Sequence, residues 1–200
     1  LNEIKNISKN KVNTYLLPNG IWAKSENSFG SIKIVKNSSK YKLPKKYILF
    51  VGRLSIIKGP DILLKAFLKT QIKDEYGLVF AGPDDNMLYK MSMSIKKSTY
   101  RNKIFFLGAV SAHERDILMK NAILTVIPSR NEAMSMVALE SSSLGTPFLA
   151  TKNCGLDDFQ RNSSGFICEA DYKSISKNLD ILLRDREYLK KIGKNSINYV

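Results

Sequence analysis

Residues 47–70 read YILFVGRLSIIKGPDILLKAFLKT, and the order of patterns within them decides the fold. Residues 47–51 form a continuous apolar run of the length of one buried strand, without the alternation of a strand that has one wet face. Gly52 ends the run. After a loop through Arg53, Lys58, Gly59, Pro60 and Asp61, the apolar residues of ILLKAFLKT recur at helical spacing. The order is therefore strand, glycine loop, helix. Gly52 and Gly59 with Arg53 and Lys58, at the carboxyl end of a strand, suit a place where backbone closely approaches an anion and a helix N-terminus faces it. Arg53 and Lys58 read equally well as ordinary surface cations of a loop. The loop is not a P-loop, because the Gly-Lys-Ser/Thr ending is missing, and no GxGxxG occurs in the chain.

The same alternation continues toward the C-terminus. Residues 77–81 read as a strand, and Gly82-Pro83-Asp84-Asp85 supplies turn chemistry before a helix over 86–98, with the aspartates as its caps. A strand over 103–107 ends in Gly108-Ala109-Val110, and Ser111-Ala112-His113-Glu114 is a capping box opening a helix that runs to Asn121. His113 then sits at the second helical position and faces solvent. Strands are expected at 122–127, 146–150 and 166–168, a loop at 152–158, and two amphipathic helices from Asp171 onward. This pattern argues an α/β fold: a Rossmann-like, doubly wound, mostly parallel sheet that takes ligands at its strand carboxyl ends. Residues 1–46 read as a lead-in with a short strand at 14–17, a turn at Pro18-Asn19-Gly20, and a connection.

Residues 128–146, PSRNEAMSMVALESSSLGT, place Glu132 and Glu140 in a segment that is otherwise apolar or small. Carboxylates eight residues apart on a helix are ~12 Å apart along its axis, and closer if the first lies in the preceding turn. They cannot share one proton, but they can contact opposite ends of one extended ligand. Ser129 to Glu132 also fits a capping box, in which Glu132 serves only the backbone. Glu140 has Ala133, Met136, Val137 and Leu144 on its own helical face. A carboxylate there either has a partner or is held for a ligand, because unpaired burial is costly.

Glu132-x7-Glu140 followed by Leu144-Gly145-Thr146-Pro147, together with VGRL at 51–54 and Lys58-Gly59, resembles the signatures of retaining glycosyltransferases of family 4. Three weaker likenesses support it: AGPD at 81–84, LLPNG at 16–20 near the family's inter-domain hinge, and the glycine-containing segment Lys152 to Asp158 beside the donor. The resemblance implies the C-terminal half of a GT-B fold. On it, residues 1–46 are lead-in strand and inter-domain connection, residues 47–200 are the nucleotide-sugar domain, and the N-terminal acceptor domain lies outside this chain. It further implies that Gly52, Arg53 and Lys58 meet the donor diphosphate. Gly108 and Val110 would meet the base through the backbone, and Glu140 the ribose hydroxyls. Glu132 with the backbone of Ala133, Met134, Ser135 and Met136 would take the sugar. Glu132, Arg53 and Lys58 are the implied catalytic residues, with no metal and no cofactor beyond the donor substrate itself. The implied activity is sugar transfer with retention, in glycan or polysaccharide biosynthesis, and the isolated chain is expected to be inactive. Ala133, Met134 and Ser135 stand where many members have glycines, which makes the loop less permissive and narrower toward the sugar. That departure keeps open an alternative, a catalytically inactive nucleotide-binding or interaction module of the same fold.

Composition bounds these readings. A chain of 200 residues with 44% hydrophobic and 25% charged residues has the make-up of a globular domain, and Leu1 at its start reads as a fragment. No stretch is long and apolar enough to span a bilayer. Cys154 and Cys168 form no metal-ligand pattern, and His113 is the only histidine. The net charge of +14 is scattered and not gathered into a basic patch with interleaved aromatics, so no nucleic-acid partner is expected. Expected partners are a nucleotide-sugar donor and, through the missing domain, an acceptor glycan, lipid-linked glycan or small molecule. Peripheral contact with an anionic membrane, and a cytoplasmic location at its inner face, complete the expectation.

Overall fold

The computed structural model of the protein describes residues 19–21 and 42–200. The strand expected at 14–17 and most of the connection lie outside them. Six strands, β1 (Tyr47–Val51), β2 (Gly77–Ala81), β3 (Ile104–Phe106), β4 (Leu124–Ile127), β5 (Phe148–Thr151) and β6 (Phe166–Cys168), form one sheet in the order β3-β2-β1-β4-β5-β6. Every neighbouring pair is parallel, with Tyr47 opposite Gly77 and Ile48 opposite Leu124. The sheet is thus wholly parallel where the sequence suggested mostly parallel.

The connecting helices are α1 (Pro60–Lys69), α2 (Leu88–Ile95), α3 (Ala112–Asn121), α4 (Met136–Ser143), α5 (Asp157–Arg161), α6 (Tyr172–Leu182) and α7 (Arg186–Tyr199). They cover both faces of the sheet, which is why its central strands read as unbroken apolar runs. Ile48, Phe50, Leu78, Phe80, Leu124 and Val126 point to one face, where Leu63 and Phe67 of α1, Met91 of α2 and Ile175 and Leu179 of α6 meet them. Tyr47, Leu49, Val79 and Ala81 point to the other and meet Leu118 and Met119 of α3. Further along that face, Ile127, Phe148 and Ala150 pack against Ala138 and Leu139 of α4 and Phe159 of α5. Small residues let α4 lie close: Ser141 is fully buried, and its hydroxyl bonds Thr125 of β4 at 2.8 Å.

Three local expectations change. Helix α2 begins only at Leu88, because Asp84 Oδ1 accepts the amides of Met87 (2.9 Å) and Leu88 (2.8 Å), and Asn86 holds a left-handed φ of 65° that prolongs the turn. The aspartate cap itself is present. The expected loop at 152–158 contains a 3-10 turn and then α5, whose Phe159 is buried edge-on against Phe148. Ser129 and Glu132 form no capping box. Helix α4 starts later, at Met136 with Ser135 as N-cap, because contacts from two other loops hold residues 128–135 out of helical geometry. The box at Ser111 and Glu114 is complete, and His113 is exposed as expected.

The first half of the chain builds the sheet outward from β1 toward β3, and the second half from β4 toward β6. Connections leave β1 and β4 in opposite directions, so a crevice opens above their carboxyl ends.

Candidate functional site

The loop after β4, residues 128–135, forms the floor of that crevice and is clamped from both sides. From the β1 side, the Arg130 amide donates to Ile57 O at 2.7 Å. The Arg130 guanidinium donates to Ile56 O and forms a fork on Asp61, with Nη1 to Oδ1 at 2.9 Å and Nη2 to Oδ2 at 2.7 Å. Partial burial of Asp61 disfavours its charge, but the hydrogen bonds and charge of Arg130 outweigh that and hold the carboxyl below its ordinary range. From the β5 side, Asn153 Nδ2 donates to Arg130 O at 2.9 Å, the Glu132 amide to Asn153 O at 2.8 Å, and the Ser135 amide to Cys154 O at 3.1 Å. Gly59 and Gly155 complete the clamp. Each has positive φ, 67° and 63°, and a Cβ would stand 2.1 Å from Pro128 O at Gly59 and 2.0 Å from Ala133 O at Gly155. Only glycine fits either place.

Inside this frame Lys58, from the β1 loop, forms an ion pair with Glu132; their side chains are 30% and 12% exposed. Burial weakens the hold of Lys58 on its proton, and the nearby charge of Arg53 acts in the same direction. The other carboxylate oxygen of Glu132, Oε2, is buried without a hydrogen-bond partner, as are the hydroxyls of Ser129 and Ser135 in the same loop. Such orphans are costly, and a ligand or water that bonds them would complete the site. Helix α4 adds to this, since no side chain caps its N-terminus, which carries the positive end of the helix dipole.

The remaining candidates lie on the loops after β1 and β3, on the loop after β4 and on α4. Gly52 sits at the end of β1 with its amide on Ala81 O at 3.0 Å, and Gly82 donates to Gly108 O at 2.8 Å, so the loops after β1, β2 and β3 are stitched edge to edge. Arg53 reaches outward, 68% exposed, 3.7 Å from Asp85. Gly108 is exposed with φ 71°, and Val110 is half-buried beside α3. Ala133 rests its carbonyl on Gly155, Met134 is partly buried, and Met136 is 41% exposed. Glu140 lies one turn into α4, 2.9 Å from the Arg115 guanidinium. The apolar stripe expected around Glu140 is only partial, because Ala133 precedes the helix and Met136 faces solvent, while Ala138, Leu139, Ser141 and Ser142 carry the buried face.

Lys58 and Glu132 are thus brought into contact, Gly52 and Arg53 onto the same loop as Lys58, and Glu140 onto a different partner. Sequence reasoning missed Arg115, the Arg130–Asp61 fork and the Asn153 brace. Each joins residues on separate elements, and no local spacing announces them. Among the described residues, no group of three or more His, Cys, Asp or Glu side chains is placed to hold a metal ion, and no helix is long and apolar enough to cross a membrane.

Residues 31–199 match the family of glycosyl transferases group 1. A glycosyltransferase of Methanocaldococcus jannaschii described as uncharacterized is 32% identical over 158 residues, covering 76% of this chain and 40% of that protein. A D-inositol 3-phosphate glycosyltransferase of Corynebacterium jeikeium is 31% identical over 118 residues, covering 56% of this chain and 28% of that protein. Among solved structures, Anabaena HepE in complex with UDP and glucose superposes with a TM-score of 0.73 at 20% identity, covering 83% of this chain and 46% of that one. The C-terminal domain of a group 1 protein, LpcC of Francisella tularensis, superposes with a TM-score of 0.71 at 22% identity, covering 78% of this chain and 85% of that one. At these identities the superpositions show the fold, a GT-B half. The chain spans 28 to 40% of the length of the two sequence relatives named here.

Proposed function

We propose, of a chain that belongs to the glycosyl transferases group 1 family, that it is the donor-binding half of an enzyme transferring a sugar from a nucleotide-sugar to an acceptor with retention of configuration. The observation that carries the proposal is the meeting of Lys58 and Glu132, with the orphaned Glu132 Oε2, at the crevice between β1 and β4. The UDP and glucose bound by HepE, a protein of the same fold, support a donor of this class.

In this reading Arg53 and Lys58 face the diphosphate, the backbone at Gly108 and Val110 the base, Glu140 the ribose hydroxyls, and Glu132 with residues 133–136 the sugar. The bond between the anomeric carbon and the β-phosphate oxygen breaks, and that oxygen keeps the electron pair. Fixed cations beside it stabilise the charge that grows in the transition state. The acceptor hydroxyl forms the new bond from the face the phosphate leaves, and its proton passes to the departing phosphate oxygen. The acceptor is held by the part of the enzyme outside this chain.

The test is the thermal midpoint of the 200-residue chain against uridine, guanosine and adenosine diphosphates and their sugars, repeated with Lys58→Ala. A ligand that binds only the folded state raises the midpoint by mass action. A rise with one nucleotide, lost in Lys58→Ala, is expected. Absence of any rise at millimolar ligand would count against the donor site and favour a module that has lost it.

A further inference from the structure

Arg115 has no part in the chemistry assigned above, yet its guanidinium meets a carboxylate that does. Its Nη2 lies 2.9 Å from Glu140 Oε1, and the two side chains are only 30% and 18% exposed. Arg115 stands in the first turn of α3, directly after the capping box that follows Gly108 and Val110, so the pair ties the element behind the proposed base loop to the helix carrying the proposed ribose ligand. Arg115 Nε is buried without a hydrogen-bond partner. That Nε is 3.9 Å from Asp116 Oδ1, so the guanidinium stands between two carboxylates, of which Glu140 is the nearer. The Glu140 side chain is itself only 18% exposed, and a carboxylate so far withdrawn from water needs an opposite charge close by.

We infer that Arg115 is the positioning residue for Glu140, fixing the orientation and charge with which that carboxylate accepts the ribose hydroxyls of the donor. The inference rests on the ribose role of Glu140 given above. Arginine is suited to it, because a planar guanidinium orients the carboxylate it binds, while a lysine ammonium supplies charge with little orientation. Recognition of the ribose hydroxyls therefore depends on Arg115, and recognition of the diphosphate does not.

The experiment measures, by titration calorimetry on the 200-residue chain, the affinities for UDP, GDP and ADP and for their 2′,3′-dideoxy counterparts. Wild type is compared with Arg115→Ala, Arg115→Gln, Arg115→Lys, Glu140→Gln and the double variant Arg115→Ala/Glu140→Gln. The readout is the ratio of ribo to dideoxy affinity within each variant, which is insensitive to a loss of folded protein because both ligands see the same folded fraction. Wild type is expected to prefer the ribo form of one nucleotide by about tenfold, the scale of hydrogen bonds to a charged acceptor. The ratio should fall to about one in Glu140→Gln and most of the way in Arg115→Ala and Arg115→Gln, with partial recovery in Arg115→Lys. The double variant should fall no further than Glu140→Gln alone, as for residues acting as one unit. If Glu140→Gln loses the preference while Arg115→Ala or Arg115→Gln keeps it, the inference is overturned and the ribose role of Glu140 stands. If Glu140→Gln keeps the preference, the ribose role falls and the inference with it. If no nucleotide binds wild type, the donor-site reading and the inference fail together.

Discussion

Lys58 and Glu132 neutralise each other, so in the proposed donor site a diphosphate would compete with Glu132 for the ammonium. On that reading, engagement of Lys58 by the phosphate would release the carboxylate toward the sugar. Burial lowers the Lys58 pKa from its ordinary 10.5, so the cation begins to disappear at lower pH than on an exposed lysine. Nucleotide affinity is accordingly expected to decline in the alkaline range at lower pH than an ordinary lysine titration would give, and to show no such limb in Lys58→Ala; calorimetry at several pH values checks it. Asp61 shifts the other way. Its carboxyl binds a proton less readily folded than unfolded, so its stabilisation is full above the ordinary value of 3.8 and is lost as pH falls through the lowered folded value. Asp61→Asn should cost about 1 kcal/mol at neutral pH, the upper end for a solvent-accessible pair. In urea melts at decreasing pH, the gap to wild type should close in the acid range.

At the scale of elements, the frame of the site depends on caps and glycines as much as on apolar packing. The Ser111–Glu114 box fixes the start of α3, and Ser111→Ala should lower stability by about 1 kcal/mol without altering the sheet, measured by denaturant unfolding. Gly155→Ala should cost more, because the left-handed conformation alone costs about 1 kcal/mol and its Cβ would also press on Ala133 O. It should weaken binding of the nucleotide-sugar more than of the bare nucleotide, since the loop it displaces carries Glu132, the proposed sugar ligand. The box at Ser111 was legible because it is written within four neighbouring residues. The strands at 47–51, 77–81 and 166–168 were legible to the residue for a related reason: an apolar run bounded by turn chemistry is local information. The false box at Ser129 shows the limit. Its four residues satisfy the local rule, but bonds from Ile57, Asn153 and Cys154 hold the segment elsewhere, and those partners lie on other loops. The pairing of Glu140 with Arg115 was hidden in the same way, while the need for some partner was visible in the apolar setting of Glu140.

At the scale of the whole molecule, the described fold is one doubly wound sheet, and the chain spans 40 and 41% of two relatives it matches over three quarters of its own length. Acceptor contacts are proposed to come from the remainder. The 200-residue chain is therefore expected to bind its nucleotide and transfer no sugar, while the intact enzyme transfers and loses the activity on Glu132→Ala; a radiolabelled-donor assay on both checks it. Turnover by the chain alone at the rate of the intact enzyme would refute the division of labour.

The clamp on residues 128–135 separates scaffold from lining. Many of its anchors are backbone amides and carbonyls together with two glycines, and the Arg130–Asp61 fork lies to one side of the crevice. Side chains at Ala133, Met134 and Met136 can be exchanged without touching those anchors. If the proposed donor site is right, it is evolvable: successive substitutions could retune which sugar is accepted while the clamp stays in register, so a change of specificity need not pass through an unfolded or inert ancestor.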